Sequence, residues 1–391
     1  MSHAAFRPHA RPALTAIACV TTALLVAGSC AQAGEHERVV SDRVGSEYHT
    51  VRIVEVAGDL ENPWGLAFLP DGAMLVTERP GRINLVRDGE VTSLDGVPDD
   101  LVARNQGGML DIAVHPEYED NGWIYFAYSK GTRQETATTL VRARIDGDQL
   151  TDVEQIFTQD RKSGPGRHYG SRLAFLPDGT LLMSIGDRGQ DPPRAQDLED
   201  HAGTLLRLND DGSVPEDNPF VDDDDVLPEI YSYGHRNIQG LIVHPETEEI
   251  WVNDHGPRGG DRLDLVKPGA NYGWPVVSPG RDYGTQEQWG EGREKEGMEP
   301  PIREFLPTVA PSGFAIVTGD RYPRWEGNFL IGGLRSEQIR RVVIENETVV
   351  HEEELIREEL GRIRDVRMGP DDYIYVLNDR SDGGVYRLEP R

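Results

Sequence analysis

The sequence predicts an all-β protein, a six-bladed β-propeller built from four-stranded antiparallel blades. The first observation is a short pattern of alternating apolar residues followed by a turn, which in most copies holds Pro and an acidic residue. It occurs six times, at intervals of 46 to 73 residues, starting at Gly65, Asp111, Arg172, Gly240, Gly313 and Asp365. The second observation is that each copy is followed by a second apolar run, and often by a third. A repeat of about 40–50 residues that holds several strands is typical of propeller blades.

Each copy of the pattern predicts the inner strand of one blade, and the runs after it predict the next strands. Second strands are predicted at 74–77, 123–128, 181–185, 250–252, 328–331 and 373–377. Third strands are predicted at 82–87, 139–145, 204–208, 262–266, 338–344 and 384–388. A β-sandwich pair and a β-solenoid are the alternatives, and six copies with this number of strands favour the propeller over both.

The segment 48–56 alternates like a strand and precedes the first copy. We expect it to form the outer strand of the last blade, which closes the ring and leaves no long sheet edge exposed. Residues 352–360 could form a short helix, but a loop or an edge strand fits their pattern equally. No boundary divides residues 34–391, so a single catalytic domain is predicted there.

The first 33 residues have the pattern of a secretory signal peptide. Arg7 and Arg11 give a positive start, residues 13–28 are mostly small and apolar, and an Ala-Gln-Ala triplet ends at Ala33. Cleavage after Ala33 would make the protein periplasmic or secreted. A buried N-terminal helix is one alternative. A lipoprotein anchored at Cys30 is another, which ranks lower because the three residues before Cys30 lack the bulky apolar residue of a bacterial lipobox.

Charge and cysteine content exclude several classes of protein. The net charge is −28, and it becomes −30 without Arg7 and Arg11, the only charged residues before Glu35. So acidic a chain is a poor partner for nucleic acid or for an anionic membrane surface. Both cysteines lie in the first 33 residues, so the mature chain has no disulfide or thiolate metal site. No later apolar run approaches the about 20 residues that span a bilayer.

Polar residues precede the predicted inner strands, and in a propeller the loops at one rim meet above the central channel. The residues in question are Gln106, His168, Arg236, Asn237, Thr308, Arg362 and Arg364, with Arg335 after a second strand. Arginine binds carboxylate or phosphate through two N–H groups and stays charged, so the cluster indicates a multiply anionic ligand. Pairing of each arginine with a nearby acid is the alternative.

His168 has a candidate partner in Asp187, which follows the next strand of the same blade. A carboxylate there can fix the imidazole tautomer and raise its basicity, which makes His168 a candidate general base. A purely structural histidine is the alternative.

A set of longer motifs runs in order from about Asn62 to the C-terminus. They are NPWGLAFLPDG, NQGGMLDIAVHP, HYGSRLAFLPDGTLLMSIGDRG, GHRNIQGL, HGPRGGD, NYGWP, PTVAPSG and GRIRDV. Together they resemble the soluble sugar dehydrogenases that depend on pyrroloquinoline quinone (PQQ), in the aldose dehydrogenase branch of the glucose/sorbosone dehydrogenase family. The resemblance implies an oxidoreductase that uses PQQ and Ca²⁺. It would oxidise an aldose sugar at the anomeric carbon to the lactone and pass the electrons to a soluble acceptor.

The resemblance also implies residue roles. His168 matches the general base, Asp187 the carboxylate that orients it, and Gln106 an amide of the substrate pocket. Catalytic and cofactor contacts are implied for His168 and Arg236, and further cofactor contacts for Asn237, Thr308, Arg335, Arg362 and Arg364. The backbone carbonyls of Gly256 and Pro257 match ligands of a Ca²⁺ that also touches the quinone.

The chain departs from the family pattern at two places. Relatives often hold a second, structural Ca²⁺ with a carboxylate just after the position of Asp261. Arg262 stands there instead, so we expect no second ion unless Asp261 or Asp264 substitutes, with the Tyr272 carbonyl as the remaining ligand. The loops that confer glucose selectivity also look short, which favours a broad range of aldoses.

Two other functions fit a six-bladed propeller. A Ca²⁺-dependent lactonase would need a ring of Glu, Asn and Asp side chains on a metal in the channel, and a non-catalytic binding module would need no catalytic set at all. The sequence leaves open the physiological sugar, the electron acceptor, and whether the protein is a monomer or a homodimer.

Overall fold

The computed structural model describes residues 37–391, and within them six antiparallel sheets form the blades of a β-propeller. The inner strand of each blade lies beside the inner strand of the next, and that of the sixth lies beside that of the first. The ring is therefore closed, as the sequence predicts.

The strands of each blade follow one another from the centre outwards. Blade 1 holds Pro63–Phe68, Met74–Glu78, Arg82–Arg87 and Glu90–Ser93; blade 2 holds Met109–Val114, Ile124–Gly131, Thr136–Asp146 and Gln149–Thr158. Blade 3 holds Leu173–Phe175, Leu181–Ile185, Thr204–Leu208 and Ile230–Tyr233; blade 4 holds Ile238–Val243, Ile250–Asp254, Asp261–Val266 and Arg303–Phe305. Blade 5 holds Pro311–Ile316, Phe329–Gly333, Gln338–Glu345 and Thr348–Leu355; blade 6 begins with Ile363–Met368, Ile374–Asn378 and Gly383–Pro390.

The N-terminal part of the chain completes blade 6. Thr50–Leu60 pairs with Gly383–Pro390, with Ile53 opposite Leu388, so the predicted closing strand is confirmed. A further strand, Arg38–Gly45, pairs outside it and makes this sheet five-stranded. The sequence did not predict that strand, because its residues are exposed or half-buried and leave no apolar alternation to detect.

A hairpin and two short helical turns lie outside the main blade pattern. A hairpin of Val277–Arg281 and Gln288–Gly290, which we call the blade 4 hairpin, is inserted before the last strand of blade 4. Helical structure in residues 37–391 amounts to one α-helical turn, Tyr118–Asn121, and a 3₁₀ turn, Pro192–Gln196. At 352–360 the structure has an edge strand followed by a loop and no helix: Thr348–Leu355 pairs with the third strand of blade 5, and 356–360 form turns.

The apolar core lies between neighbouring blades. Leu330 and Ile339 of blade 5, for example, pack in one buried cluster with Val366, Val376 and Leu388 of blade 6. Burial of this kind is the main favourable contribution to folding, at about 25 cal/mol per Å² of apolar surface.

A buried ionic network lies at the centre of the inner strands. The Arg172 guanidinium is 3.2 Å from Asp111 and 3.1 Å from Asp365, and it donates to the backbone carbonyls of Gln239 (2.7 Å) and Arg364 (3.0 Å). Arg172, Asp111 and Asp365 are at most 1% exposed. The network joins blades 2, 3, 4 and 6 directly beneath the candidate site.

The predicted signal peptide at 1–33, with Cys19 and Cys30, lies outside the described residues. Across residues 37–391, every helix is too short and too polar to cross a bilayer.

Candidate active site

Two adjoining cavities open at one rim of the ring and share Gln106, His255 and Ala310. The outer cleft has a volume of about 680 Å³, and the inner cavity above the ionic network has about 330 Å³. The outer cleft is lined by Gln106, His168, Asp187, Arg236, Gly256, Pro257, Thr308 and Arg335. The inner cavity is lined by Gln106, Asn237, Arg362 and Arg364. The structure thus brings every residue of the predicted site to one place.

His168 and Asp187 form a buried pair at the wall of the cleft. The imidazole Nδ1 lies 2.6 Å from Asp187 Oδ1, and the two residues are 8% and 1% exposed. Burial, together with the positive charge of Arg236, lowers the pKa of His168, while Asp187 opposes that shift. Burial by itself would raise the pKa of Asp187, but His168 and Arg236 hold it below its ordinary value. The pair is therefore a neutral imidazole on a charged carboxylate, with Nε2 not engaged by Asp187.

The backbone at His168 is held in an uncommon conformation. Its φ is +53°, in the left-handed region that non-glycine residues rarely adopt. Its N–H donates to Gln106 Oε1 (2.8 Å), and its carbonyl accepts from the buried Arg188 guanidinium (3.2 Å). A Cβ on Gly186 would lie 2.2 Å from the same carbonyl, so only glycine fits behind it. Such strain occurs chiefly where surrounding contacts impose a functional geometry.

Arg236 and Asn237 are fixed from below by a buried carboxylate that the sequence analysis did not single out. Asp254, at the end of the second strand of blade 4, accepts the backbone N–H groups of Arg236 (2.8 Å) and Asn237 (2.6 Å). Burial raises the pKa of Asp254 to about 7. The Asn237 side chain accepts from Gly170 N (3.1 Å), which ties this loop to the one that carries His168.

Trp274 is a second residue that the sequence analysis did not assign, although it lies in the NYGWP motif. Its indole Nε1–H donates to Asp187 Oδ2 (2.8 Å), and its ring stacks on Trp289 of the blade 4 hairpin with centroids 5.1 Å apart. The Arg236 guanidinium carbon lies 5.3 Å from the centroid of the Trp274 ring. Nothing in the sequence relates Trp274 to Asp187, because 87 residues separate them.

Three arginine side chains that line the outer cleft have no acidic partner in the described part of the chain. Arg236 donates to the His255 carbonyl (3.0 Å) and Arg258 to the Gln286 side chain (2.6 Å), while Arg335 is exposed in the outer cleft. Among residues 37–391, none of these three lies within ion-pair distance of a carboxylate. In a chain with a net charge of −28, unpaired guanidiniums on one cleft make it a site for an anion.

Arg362 and Arg364 do have an acidic partner, as the alternative interpretation of the arginines proposed. Both donate to Asp379 Oδ2, at 2.9 and 3.0 Å. The two guanidiniums, Arg364 above all, hold the pKa of Asp379 far below its ordinary value in spite of burial. Two cations on one carboxylate leave one positive charge facing the inner cavity, so the cluster still favours a bound anion.

The loop that carries Gly256 and Pro257 is a tight turn on the cleft wall. A Cβ on Gly256 would lie 2.0 Å from the Gly260 carbonyl group, which excludes any larger residue. Asp261 braces this turn and accepts the N–H groups of Gly256 (3.1 Å), Val309 (3.0 Å) and Ala310 (2.8 Å). Thr308 also donates its hydroxyl to Asp261.

Backbone oxygens are the available ligands for a cation in this cleft. Among the described residues, no group of three or more His, Cys, Asp or Glu side chains is arranged to hold a metal ion. Carbonyl oxygens are hard ligands of the type that Ca²⁺ prefers. The Gly256 and Pro257 carbonyls, the second of which also accepts from Gly260 N–H (3.0 Å), could therefore hold a Ca²⁺.

The position of the second, structural Ca²⁺ is filled by a side chain. The Arg262 guanidinium lies 2.7 Å from Asp264 and donates to the carbonyls of Tyr272 (2.9 Å) and Glu299 (3.0 Å). Because Asp261 is engaged by N–H and hydroxyl donors and Asp264 by Arg262, neither carboxylate is available to substitute. The residues present do not fit a second Ca²⁺.

Known proteins resemble this chain in sequence and in fold. A model of the glucose/sorbosone dehydrogenase family matches residues 60–387. The chain is 37% identical to an aldose sugar dehydrogenase of Escherichia coli, over 88% of this chain and 94% of that protein. The solved apo-form of the soluble E. coli aldose sugar dehydrogenase has a TM-score of 0.83, at 37% identity, over 88% of this chain and all of that one. The PQQ-bound aldose sugar dehydrogenase of Streptomyces coelicolor has a TM-score of 0.73, at 28% identity, over 86% of this chain and 96% of that one.

Proposed function

The chain belongs to the glucose/sorbosone dehydrogenase family, and we propose that it oxidises aldose sugars at the anomeric carbon to the lactone, with PQQ and Ca²⁺ as cofactors. The observation that carries the proposal is the convergence of a neutral, carboxylate-oriented histidine and several guanidiniums on one cleft. A sugar hydroxyl needs a base, and a quinone with several carboxylates needs cations.

The proposed base is His168. Asp187 holds Nδ1–H, so Nε2 carries the lone pair that takes the proton from the hydroxyl at the anomeric carbon. The depressed pKa of His168 keeps this lone pair free at neutral pH. The exposed amide of Gln106 lies on the same cleft, where it is placed to orient the sugar.

The proposed cofactor contacts divide between the two cavities. Arg362 and Arg364 would bind carboxylates of PQQ in the inner cavity, where Asn237 would also contact it, and Arg236, Thr308 and Arg335 would contact it from the outer cleft. When bound, PQQ would supply the acceptor for the hydride from the sugar, and Ca²⁺ on the Gly256 and Pro257 carbonyls would polarise the quinone. The Arg236 guanidinium would stabilise the negative charge that reduction places on the quinone.

A lactonase and a binding module each leave part of the residue cluster in the two cavities without a function. A lactonase would have no use for the paired Arg362 and Arg364, and a binding module none for the strained, oriented His168. No specific contact favours either one.

The proposal extends to the setting of the enzyme. Residues 1–33 would direct export to the periplasm or beyond and be removed, which leaves 34–391 as one catalytic domain. A soluble acceptor would then reoxidise the cofactor, because quinone chemistry needs an external sink for electrons.

Reconstitution tests the proposal. Purified apo-protein given PQQ and Ca²⁺ is expected to reduce a redox dye with several aldoses and to release the lactone, and to do neither when PQQ is omitted. Absence of dye reduction with every aldose, together with hydrolysis of an added lactone, would contradict the proposal.

A further inference from the structure

Trp274 contacts both Asp187, the partner of the proposed base, and Arg236, a proposed cofactor contact. It is 5% exposed, its indole N–H donates to Asp187, and its ring lies under the Arg236 guanidinium. It also lines the outer cleft beside His168. No role for Trp274 follows from the site described so far.

We propose that Trp274 is a positioning residue that acts on His168 through Asp187, and on Arg236 through its aromatic face. The inference rests on the proposed function, since it assigns Trp274 a part in the same reaction.

The hydrogen bonds of Asp187 show why a second donor matters. Oδ1 accepts from His168 Nδ1 (2.6 Å) and from Gly189 N (2.7 Å). Within the described residues, Oδ2 accepts from the Trp274 indole alone. With donors on both oxygens the plane of the carboxylate is fixed, and with it the imidazole ring whose Nε2 must reach the substrate. Groups that orient metal-binding histidines in the same way typically contribute 10- to 100-fold to activity, and we expect an effect of that order here.

The same hydrogen bond affects the charge that His168 experiences. A donor on Asp187 offsets part of its negative charge, so the carboxylate stabilises an imidazolium less than it otherwise would. The titratable and charged groups that face His168 are Asp187, Arg236, Arg167 and His255. Loss of the indole N–H leaves these groups in place and is expected to raise the pKa of His168.

The aromatic face has a separate effect. A guanidinium within about 6 Å of an indole centroid is attracted by the ring quadrupole. Arg236 meets this condition at 5.3 Å, and the stack of Trp289 on Trp274 holds the indole in place. Trp274 thereby keeps the base and the neighbouring cation in one geometry.

The test is the variant Trp274→Phe, which keeps an aromatic ring but removes the N–H donor. We expect kcat for aldose oxidation at saturating PQQ to fall about 10- to 100-fold. We also expect the acid limb of the pH–rate profile to move to higher pH. Histidine NMR of the apo-protein should show the same rise in the pKa of His168 without any need for turnover.

Trp251→Phe is the matched control. Trp251 is 2% exposed in the same blade, and its indole also donates to a carboxylate, Glu249 (3.3 Å), but it lies outside both cavities. Its removal should leave kcat, the pH profile and the His168 titration as in the wild type, with only a loss of thermal stability.

Further outcomes decide the matter. Trp274→His keeps a ring N–H and should recover part of the kcat lost in Trp274→Phe. If Trp274→Phe does not fold, Trp274→His takes its place in the comparison with the wild type. The inference is overturned if Trp274→Phe matches Trp251→Phe in kcat and in the His168 titration, or if Trp274→His shows neither recovery nor a titration closer to wild type. Inactivity of the reconstituted wild type would count against the proposed function instead, and the NMR titration would still test the contact.

Discussion

At the scale of single residues, the proposed chemistry depends on His168 as its base. Its pKa is lowered by burial and by Arg236, so protonation should inactivate the enzyme only below the ordinary histidine value of about 6.5. Because the proposed base acts in its neutral form, activity should rise as pH rises through the depressed pKa of His168.

We predict that His168→Ala lowers kcat by about 10²- to 10⁴-fold, because it removes general-base catalysis. PQQ affinity should change far less, since the cations are untouched. Arg364→Ala is the converse control and should chiefly weaken PQQ binding. Steady-state kinetics across pH, with PQQ titrations of both variants, make the comparison. Equal loss of cofactor affinity in both variants would contradict the assignment of His168 as the base.

The sequence identifies such residues only in part. His168, Gln106 and the arginines could be found because each precedes or follows a strand that the six-fold pattern predicts. Asp254, Asp379 and Trp274 could not, because their partners lie in other loops whose conformations the pattern does not determine. Arg262 was recognised as a departure, but its contacts with Asp264 and Tyr272 required the structure.

At the scale of one element, the end of the second strand of blade 4 supports the site. Asp254 is buried there with a pKa raised to about 7, and it accepts the N–H groups of Arg236 and Asn237. A carboxyl group whose folded pKa lies above its unfolded value near 4 contributes stability that is fully present below pH 4. This contribution is lost as pH rises through about 7.

We predict that Asp254→Asn removes this pH dependence. Between pH 5 and pH 8 the wild type should lose more thermal stability than the variant, because Asn carries no charge to bury. Unfolding temperatures of apo-protein across this range provide the measurement. Asp224→Asn, at an exposed carboxylate outside both cavities, is the control and should keep the wild-type slope. A variant slope equal to that of the wild type would show that Asp254 is not the titrating group.

Elements differ in how well the sequence predicts them. The inner strands and the closing strand are rich in apolar residues, because most of their residues are buried between neighbouring blades, and they were predicted with errors of a few residues at their ends. Arg38–Gly45 is mostly exposed, and the blade 4 hairpin is short, polar and rich in turns. Neither has the periodic burial that makes a strand recognisable.

At the scale of the whole molecule, the network around Arg172 ties four blades together under the site. Arg172 and Arg367 together neutralise two fully buried carboxylates, Asp111 and Asp365. Removal of one partner of a buried ionic group leaves uncompensated charge, at a cost of about 3–5 kcal/mol.

We predict that Arg172→Met lowers the free energy of unfolding by about that amount. Arg87→Met is the control: Arg87 and Asp71 form a 2.6 Å ion pair with both side chains about half exposed, and such pairs contribute about 0–1 kcal/mol. Denaturant unfolding of the apo-proteins measures both. Equal losses in the two variants would show that the buried network does not hold the blades together.

We propose above all that one cleft binds PQQ with Ca²⁺ and that His168 takes the proton from the sugar as the hydride passes to the quinone. Anaerobic single-turnover reduction of protein-bound PQQ by glucose, with no dye present, tests it most directly. We predict stoichiometric reduction by the wild type, slowed when the anomeric carbon carries deuterium, and slower by about 10²- to 10⁴-fold in His168→Ala. Bound PQQ that no aldose reduces, or that His168→Ala reduces at the wild-type rate, would contradict the account.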